Sequence, residues 1–127
     1  MIHYIRGRIT QTAQDLVVIE NNGIGYEVYV PQGDAAFLAA DREVTIYTTM
    51  QVKEDDISLY GFSDRSALTM FGLLTSVSGV GGKGAMAILS ALSPAELQKA
   101  VISGNSKAIT AANGIGKKIA DRIVLEL

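Results

Sequence analysis

The sequence predicts an α+β chain, a small five-stranded barrel followed by an all-helical half built around two glycine-turn hairpins. Three observations carry this. The spacing of apolar residues changes from the alternation of strands to the three-and-four spacing of helices near Phe62. The charge changes sign at the same place: residues 1–62 hold nine acids and four bases, a balance of -5, whereas residues 63–127 hold four acids and seven bases, a balance of +3. Finally, a glycine-rich sequence occurs twice, 35 positions apart, as Gly79-Val80-Gly81-Gly82-Lys83 and Gly114-Ile115-Gly116-Lys117-Lys118. Domains are therefore expected at 1–62 and 63–127.

In the first half, strand-like runs rich in Val, Ile, Thr and Tyr span Ile2 to Thr10, Asp15 to Glu20, Gly25 to Val30, Glu43 to Val52 and Ile57 to Phe62. Asn21-Asn22-Gly23 and Pro31-Gln32-Gly33 supply turn signals between them. Five short strands in so few residues cannot leave a large sheet edge exposed, so a closed or partly closed barrel of the OB type is expected, with a small sandwich as the alternative. Asp34 to Ala40 is expected to form a short helical turn that closes it.

In the second half, Leu68, Phe71, Leu73 and Leu74 form an apolar stripe behind a cap at Ser63 or Asp64. Ser93-Pro94-Ala95-Glu96 combines an N-cap serine, a first-position proline and a capping-box glutamate, and Gly104 gives the stop. Another short helix follows Asn105 or Ser106, for about five in all. The repeat extends beyond its glycines: Leu74 aligns with Ile109, Val77 with Ala112, Ala85 with Ala120, Ile88 with Ile123, Leu89 with Val124 and Leu92 with Leu127.

Each glycine turn predicts an anion site. Small residues let backbone approach a ligand, and the free N–H groups and dipole of the following helix attract negative charge. An isolated helix prefers acids in its first turn, yet Lys83, Lys117 and Lys118 occupy those places, which is unfavourable unless an anion offsets them. A single copy would leave a glycine-turn hairpin that binds nothing an equal alternative; duplication together with the basic balance favours phosphate.

Other chemistry has little support. Gly79 to Gly84 matches the GxGxxG pattern literally, but a helical pattern precedes it where a dinucleotide fold requires a strand, and Ile119 replaces the third glycine in the second copy. There is no Walker A sequence and no cysteine, and the single histidine, His3, lies in the first strand. No metal or cofactor is expected. Glu54-Asp55-Asp56 sits between two strand patterns, so it reads as a solvated, negatively charged hairpin tip. With no apolar run of membrane-spanning length, a soluble cytoplasmic protein with no membrane partner is expected.

The two hairpins, Ile5-Arg6-Gly7, the stretch Gly23-Ile24-Gly25-Tyr26-Glu27-Val28, and Val52-Lys53-Glu54-Asp55 followed by Leu59-Tyr60-Gly61-Phe62 together resemble the RuvA family of bacterial Holliday junction branch-migration subunits, over essentially the whole chain. In that family the hairpins are helix-hairpin-helix motifs. The resemblance implies a non-catalytic homotetramer, one or two of which enclose the DNA, holding a four-way junction open and flat on a basic face during recombination and repair. It implies that N–H groups around Gly79, Gly81, Gly82, Gly114 and Gly116, with Lys83, Lys117, Lys118 and Arg122, hold phosphates across the minor groove without reading sequence. It assigns Glu54 and Asp55 to an acidic pin at the crossover, leaves Asp56 without a role, and implies a RuvB-type motor ATPase and a RuvC-type resolvase as partners.

Two departures matter. Gly82 stands where the family often has proline, which implies a more mobile first hairpin at about 0.5 to 1 kcal/mol in unfolded-state entropy. The family also has a further C-terminal helical domain that contacts the motor; here the last predicted helix runs into Leu127, so that domain is expected to be truncated or outside the sequence, and motor coupling is not carried over. The competing expectations are a general OB plus helix-hairpin-helix adaptor for single-stranded or damaged DNA and a metal-dependent nuclease using Glu54, Asp55 and Asp56.

Overall fold

Five strands and six helices follow in chain order in the computed structural model, which describes residues 1–38 and 42–127. The strands are β1 (Tyr4–Thr12), β2 (Leu16–Asn21), β3 (Ile24–Tyr29), β4 (Glu43–Val52) and β5 (Ile57–Phe62). The helices are α1 (Asp34–Leu38), α2 (Arg65–Thr75), α3 (Gly82–Ala91), α4 (Pro94–Ser103), α5 (Ser106–Ile109) and α6 (Lys117–Glu126). The chain divides into two compact units, Met1–Leu68 and Thr69–Leu127.

The first unit is a closed barrel in the order β1-β2-β3-β5-β4. All its pairings are antiparallel except that of β3 with β5, which meet in parallel at Tyr29 and Tyr60. Alternation along the strands puts Ile5, Val17, Ile19, Val28, Val44 and Ile46 inside, where Ala35 and Leu38 of α1 join the same core cluster. The expected helical turn thus exists over Asp34–Leu38; Ala39 and Ala40 lie outside the described residues.

The first strand closes the barrel and begins two residues later than its sequence pattern suggests, at Tyr4. It pairs with β4 through Tyr4 to Arg8 and with β2 through Arg8 to Thr12, with a register shift between Ile9 and Gln11. Such irregularities increase twist, which closure of a small barrel needs. The residues before it are held by Thr48, whose buried hydroxyl donates to the Ile2 carbonyl at 2.7 Å while its N–H donates to the His3 carbonyl at 2.9 Å. At the seam, a Cβ on Gly7 would lie 2.0 Å from the Glu20 carbonyl oxygen.

In the second part of the chain, helix starts follow the expected chemistry. Asp64 caps α2, its carboxylate accepting from the Ala67 N–H at 2.9 Å and the Ser66 hydroxyl at 2.6 Å. Ser93 and Glu96 form the full capping box of α4, Gly104 ends that helix in the left-handed region, and Asn105 caps α5 through the Ala108 N–H. Along α2 the expected stripe is corrected at one position. Met70, Phe71 and Leu74 are buried, whereas Leu73 is 46% exposed, because one residue's turn about the helix axis carries it off the face that Leu74 holds.

The Gly7 contact is with backbone, so it has no easy relaxation. Gly7→Ala should lower unfolding free energy by about 3 kcal/mol, as over-packing at a rigid site does. Gly25→Ala, whose Cβ would meet only a Val18 methyl at 3.1 Å, should cost less. Urea unfolding of both variants checks the order, and equal losses would contradict the seam.

Candidate nucleic-acid interface

The two glycine repeats fold into near-copies of one backbone. Gly79 and Gly114 take φ of +91° and +79°, a region that L-residues with side chains rarely adopt. Two residues later, Gly81 and Gly116 are the N-caps of α3 and α6, with φ, ψ of -92°, -176° and -84°, 173°. The hydrogen bonds repeat as well. Val80 N–H donates to the Val77 carbonyl and Ile115 N–H to that of Ala112; Ala85 N–H donates to Gly81 and Ala120 N–H to Gly116.

Aligned positions are buried alike. Leu74 and Ile109, Ala85 and Ala120, and Ile88 and Ile123 are all fully buried, and Val77 and Ala112 nearly so. The hairpins also meet each other. Ile119 at the start of α6 reaches the space beside Gly79, where an added Cβ would be 2.9 Å from its Cδ1, and Ile115 reaches Gly84 with its Cδ1 at 3.6 Å from such a Cβ. The second hairpin thus lays two isoleucines over two glycines of the first.

Helix starts in this part of the chain fall into two kinds. In α2, α4 and α5 a side chain accepts from the first turn. The carboxylates that do so show the local potential: Glu96 is held below the usual carboxylate range by hydrogen bonds from Ser93, backbone first, and Asp64 by the Ser66 hydroxyl and then the Ala67 N–H. By contrast, α3 and α6 start on glycine, have no acid in the first turn, and carry Lys83 or Lys117 and Lys118 there. The first intrahelical bonds reach back from Ala85 and Ala120, so the N–H groups of Gly82, Lys83 and Gly84 and of Lys117, Lys118 and Ile119 stand before the helical ladder begins. A Cβ built on Gly81, Gly114 or Gly116 would meet open space. The lysines are exposed and Gly82 is buried. Chemically, such a matched pair of uncapped, lysine-bearing helix starts suits an anion at each.

Arg122 is placed differently from the lysines. Its Nη1 donates to the Ser78 carbonyl at 3.4 Å, just before Gly79, and its Nε pairs with Glu126 at 3.3 Å. It therefore ties α6 to the first hairpin's turn. Sequence reasoning named neither contact: the i,i+4 spacing is a signal for the Glu126 pair, but nothing in the sequence marks a contact 44 residues away.

The acidic run lies in the other unit, on the turn between β4 and β5. The Lys53 N–H closes this turn on the Asp56 carbonyl at 2.7 Å, and the Asp56 carboxylate accepts from the Ser58 hydroxyl. Asp56, which sequence reasoning left without a role, is thus a turn-forming residue, while Glu54 and Asp55 are exposed. Among the described residues, no three histidine or acidic side chains are grouped to hold a metal ion, and no helix is long and apolar enough to cross a membrane.

Comparison with known proteins now bears on this arrangement. Residues 1–61 match the RuvA N terminal domain model and residues 71–127 the SAM-like helix-hairpin-helix tandem model. Across its full length the chain is 48% identical to the Holliday junction branch migration complex subunit RuvA of Thermoanaerobacter sp. (strain X514), covering 68% of that protein. The chain belongs to the RuvA family. It is likewise 47% identical to the RuvA of Acetivibrio thermocellus and 45% identical to that of Nocardia farcinica, spanning 63% of each. The barrel corresponds to the RuvA N-terminal domain, and the duplicated hairpins fall within the RuvA helix-hairpin-helix region.

The three cradle glycines should respond to alanine in a fixed order. Gly79→Ala meets both positive φ and Ile119, Gly114→Ala meets positive φ alone, and Gly116→Ala meets neither. Thermal unfolding should show the largest loss for Gly79→Ala, about 1 kcal/mol for Gly114→Ala and little for Gly116→Ala. Inverted ranking of Gly79 and Gly116 would contradict the hairpin geometry.

Proposed function

We propose that this chain is a non-catalytic DNA-binding unit that recognises four-way junctions by shape and charge and holds their arms open for branch migration. The observation that supports it best is the matched pair of uncapped, lysine-bearing helix starts. Two backbone cradles held in fixed relation suit two phosphates, and backbone donors grip phosphates irrespective of base sequence. Gly79, Gly81, Gly82, Gly114 and Gly116 supply the cradles on this reading. Lys83, Lys117 and Lys118 supply long-range attraction, and Arg122 adds charge while bracing α6 against the first turn.

Glu54 and Asp55 have the opposite task. Exposed carboxylates on a tight turn repel phosphates, so at a junction they act as a pin that keeps separated strands from closing. The relatives are named as subunits of a Holliday junction branch migration complex. By that kinship the working assembly is a homotetramer, alone or doubled, in the bacterial cytoplasm, which serves a RuvB-type motor ATPase and hands junctions to a RuvC-type resolvase. This chain has no ATPase role in that scheme.

Titrating a synthetic four-way junction and a linear duplex of the same arm sequence at two salt concentrations tests the reading, with the mass of the complex measured in parallel. Junction affinity should exceed duplex affinity at both salts, and Lys118→Ala should weaken binding to every DNA and reduce the salt slope by about one. Equal affinity for junction and duplex would sink the proposal.

Glu54→Gln combined with Asp55→Asn removes charge near phosphates. Junction binding should stay equal or tighten while strand separation at the crossover, followed by permanganate reactivity of central thymines, changes. Weaker binding by this variant would contradict the pin.

A further inference from the structure

Asparagine is a labile residue, and it is most labile before glycine, whose backbone nitrogen has no Cβ beside it to keep it from the asparagine Cγ. That dipeptide occurs twice here, as Asn22-Gly23 on the turn between β2 and β3 and as Asn113-Gly114 on the turn of the second hairpin. The other asparagines are tied down and precede bulkier residues. Asn21 donates to the Arg6 carbonyl at 2.7 Å, and Asn105 accepts from the Ala108 N–H at 3.2 Å.

The fold separates the two copies. Asn22 and Gly23, at φ of +51° and +85°, close a two-residue hairpin whose flanking residues Asn21 and Ile24 are partners in the ladder, so rotation at Asn22 has to disturb paired strands. The turn at Asn113 is closed by one bond, from the Ile115 N–H to the Ala112 carbonyl at 3.2 Å. Asn113 is exposed. Among the described residues, neither its side-chain amide nor the Gly114 N–H makes a hydrogen bond, and a Cβ on Gly114 would meet open space. Nothing in the turn requires asparagine, because the aligned residue of the first hairpin is Ser78 and the same bond forms there, from the Val80 N–H to the Val77 carbonyl.

We propose that Asn113 is a self-modification site that turns the second lysine-bearing helix start from attracting DNA to repelling it. The Gly114 nitrogen attacks the Asn113 Cγ. A bond forms between them, the bond from Cγ to the side-chain nitrogen breaks, and that nitrogen leaves as ammonia with the Gly114 amide proton. Water then opens the cyclic imide at either carbonyl, giving aspartate or, with the main chain rerouted through Cγ, isoaspartate. Either product puts a carboxylate three positions before the Gly116 N-cap, where it competes for the free N–H groups and repels phosphate. Isoaspartate also lengthens the turn by one main-chain carbon. This inference rests on the junction-binding reading and adds a regulation to it: DNA that covers the turn also shields Asn113, so idle protein loses affinity and engaged protein keeps it.

The test incubates the 127-residue chain at mildly alkaline pH, with and without a saturating synthetic four-way junction, and follows it by peptide mass mapping and junction titration. The peptide that holds Asn113 should gain about 1 Da sooner than the one that holds Asn22, and junction affinity should fall in step with that gain. Asn113→Ser, which copies the first hairpin, should keep its affinity through the same incubation. Asn113→Asp supplies the charge without the longer main chain and should bind junction and duplex alike about threefold more weakly. Conversion of Asn22 as fast as Asn113 would overturn the proposal, as would equal loss of affinity by the unmodified and Asn113→Ser chains or undiminished binding by Asn113→Asp. Conversion of Asn113 that the junction does not slow would instead bring down the underlying functional reading and leave the chemistry standing.

Discussion

The left-handed glycine that opens each hairpin is the constraint on which the helical part of this molecule depends. With Gly79 and Gly114 at positive φ, the chain reverses in a few residues and enters the next helix through a second glycine whose extended backbone ends in bare N–H groups. Close packing follows from the same lack of side chains. Ile119 occupies the space that a Cβ on Gly79 would need, so the second hairpin seats against the first where its turn is tightest. Two matched helix starts in fixed relation therefore come from one local rule applied twice, and the Arg122 contact with the Ser78 carbonyl adds a tie between them.

Electrostatics then distinguishes these helix starts from their neighbours. Glu96 and Asp64 satisfy helix N-termini internally, and hydrogen bonds hold both carboxyls below their ordinary range, from the Ser93 N–H and hydroxyl for Glu96 and from the Ser66 hydroxyl and then the Ala67 N–H for Asp64. At α3 and α6 the equivalent places hold glycine and lysine, so the same attraction is directed outward. The other unit does the reverse, with Glu54 and Asp55 exposed on a turn whose own hydrogen bonds are satisfied by Lys53, Asp56 and Ser58. On the proposed reading, one chain thus carries both an attractor and a repeller of phosphate, each built from short local motifs.

Much of this was legible in the sequence because its signals are local. Capping residues named the starts of α2, α4 and α5, and the change of period near Phe62 named the passage from strands to helices. The duplication named both cradles. Features that depend on distant partners were not legible. The Gly7 seam needs the Glu20 carbonyl opposite it, and Arg122 needs a carbonyl from the other hairpin. Leu73 looked like part of an apolar stripe because spacing alone cannot separate adjacent leucines that turn to different sides of a helix. Val52 and Ile57 were read only as the ends of two strands, and alternation does not tell whether such ends are covered or exposed.

The acidic tip joins the two halves of the functional argument. On the proposed reading, backbone cradles would serve any duplex, because every duplex offers phosphates at similar spacing, so selection of a branched structure falls to another feature. Selection needs something that a continuous duplex cannot satisfy. A carboxylate tip is penalised wherever phosphates close around it and tolerated where strands diverge. Attraction at the two helix starts and repulsion at the tip would then discriminate between DNA geometries in a way that neither does alone.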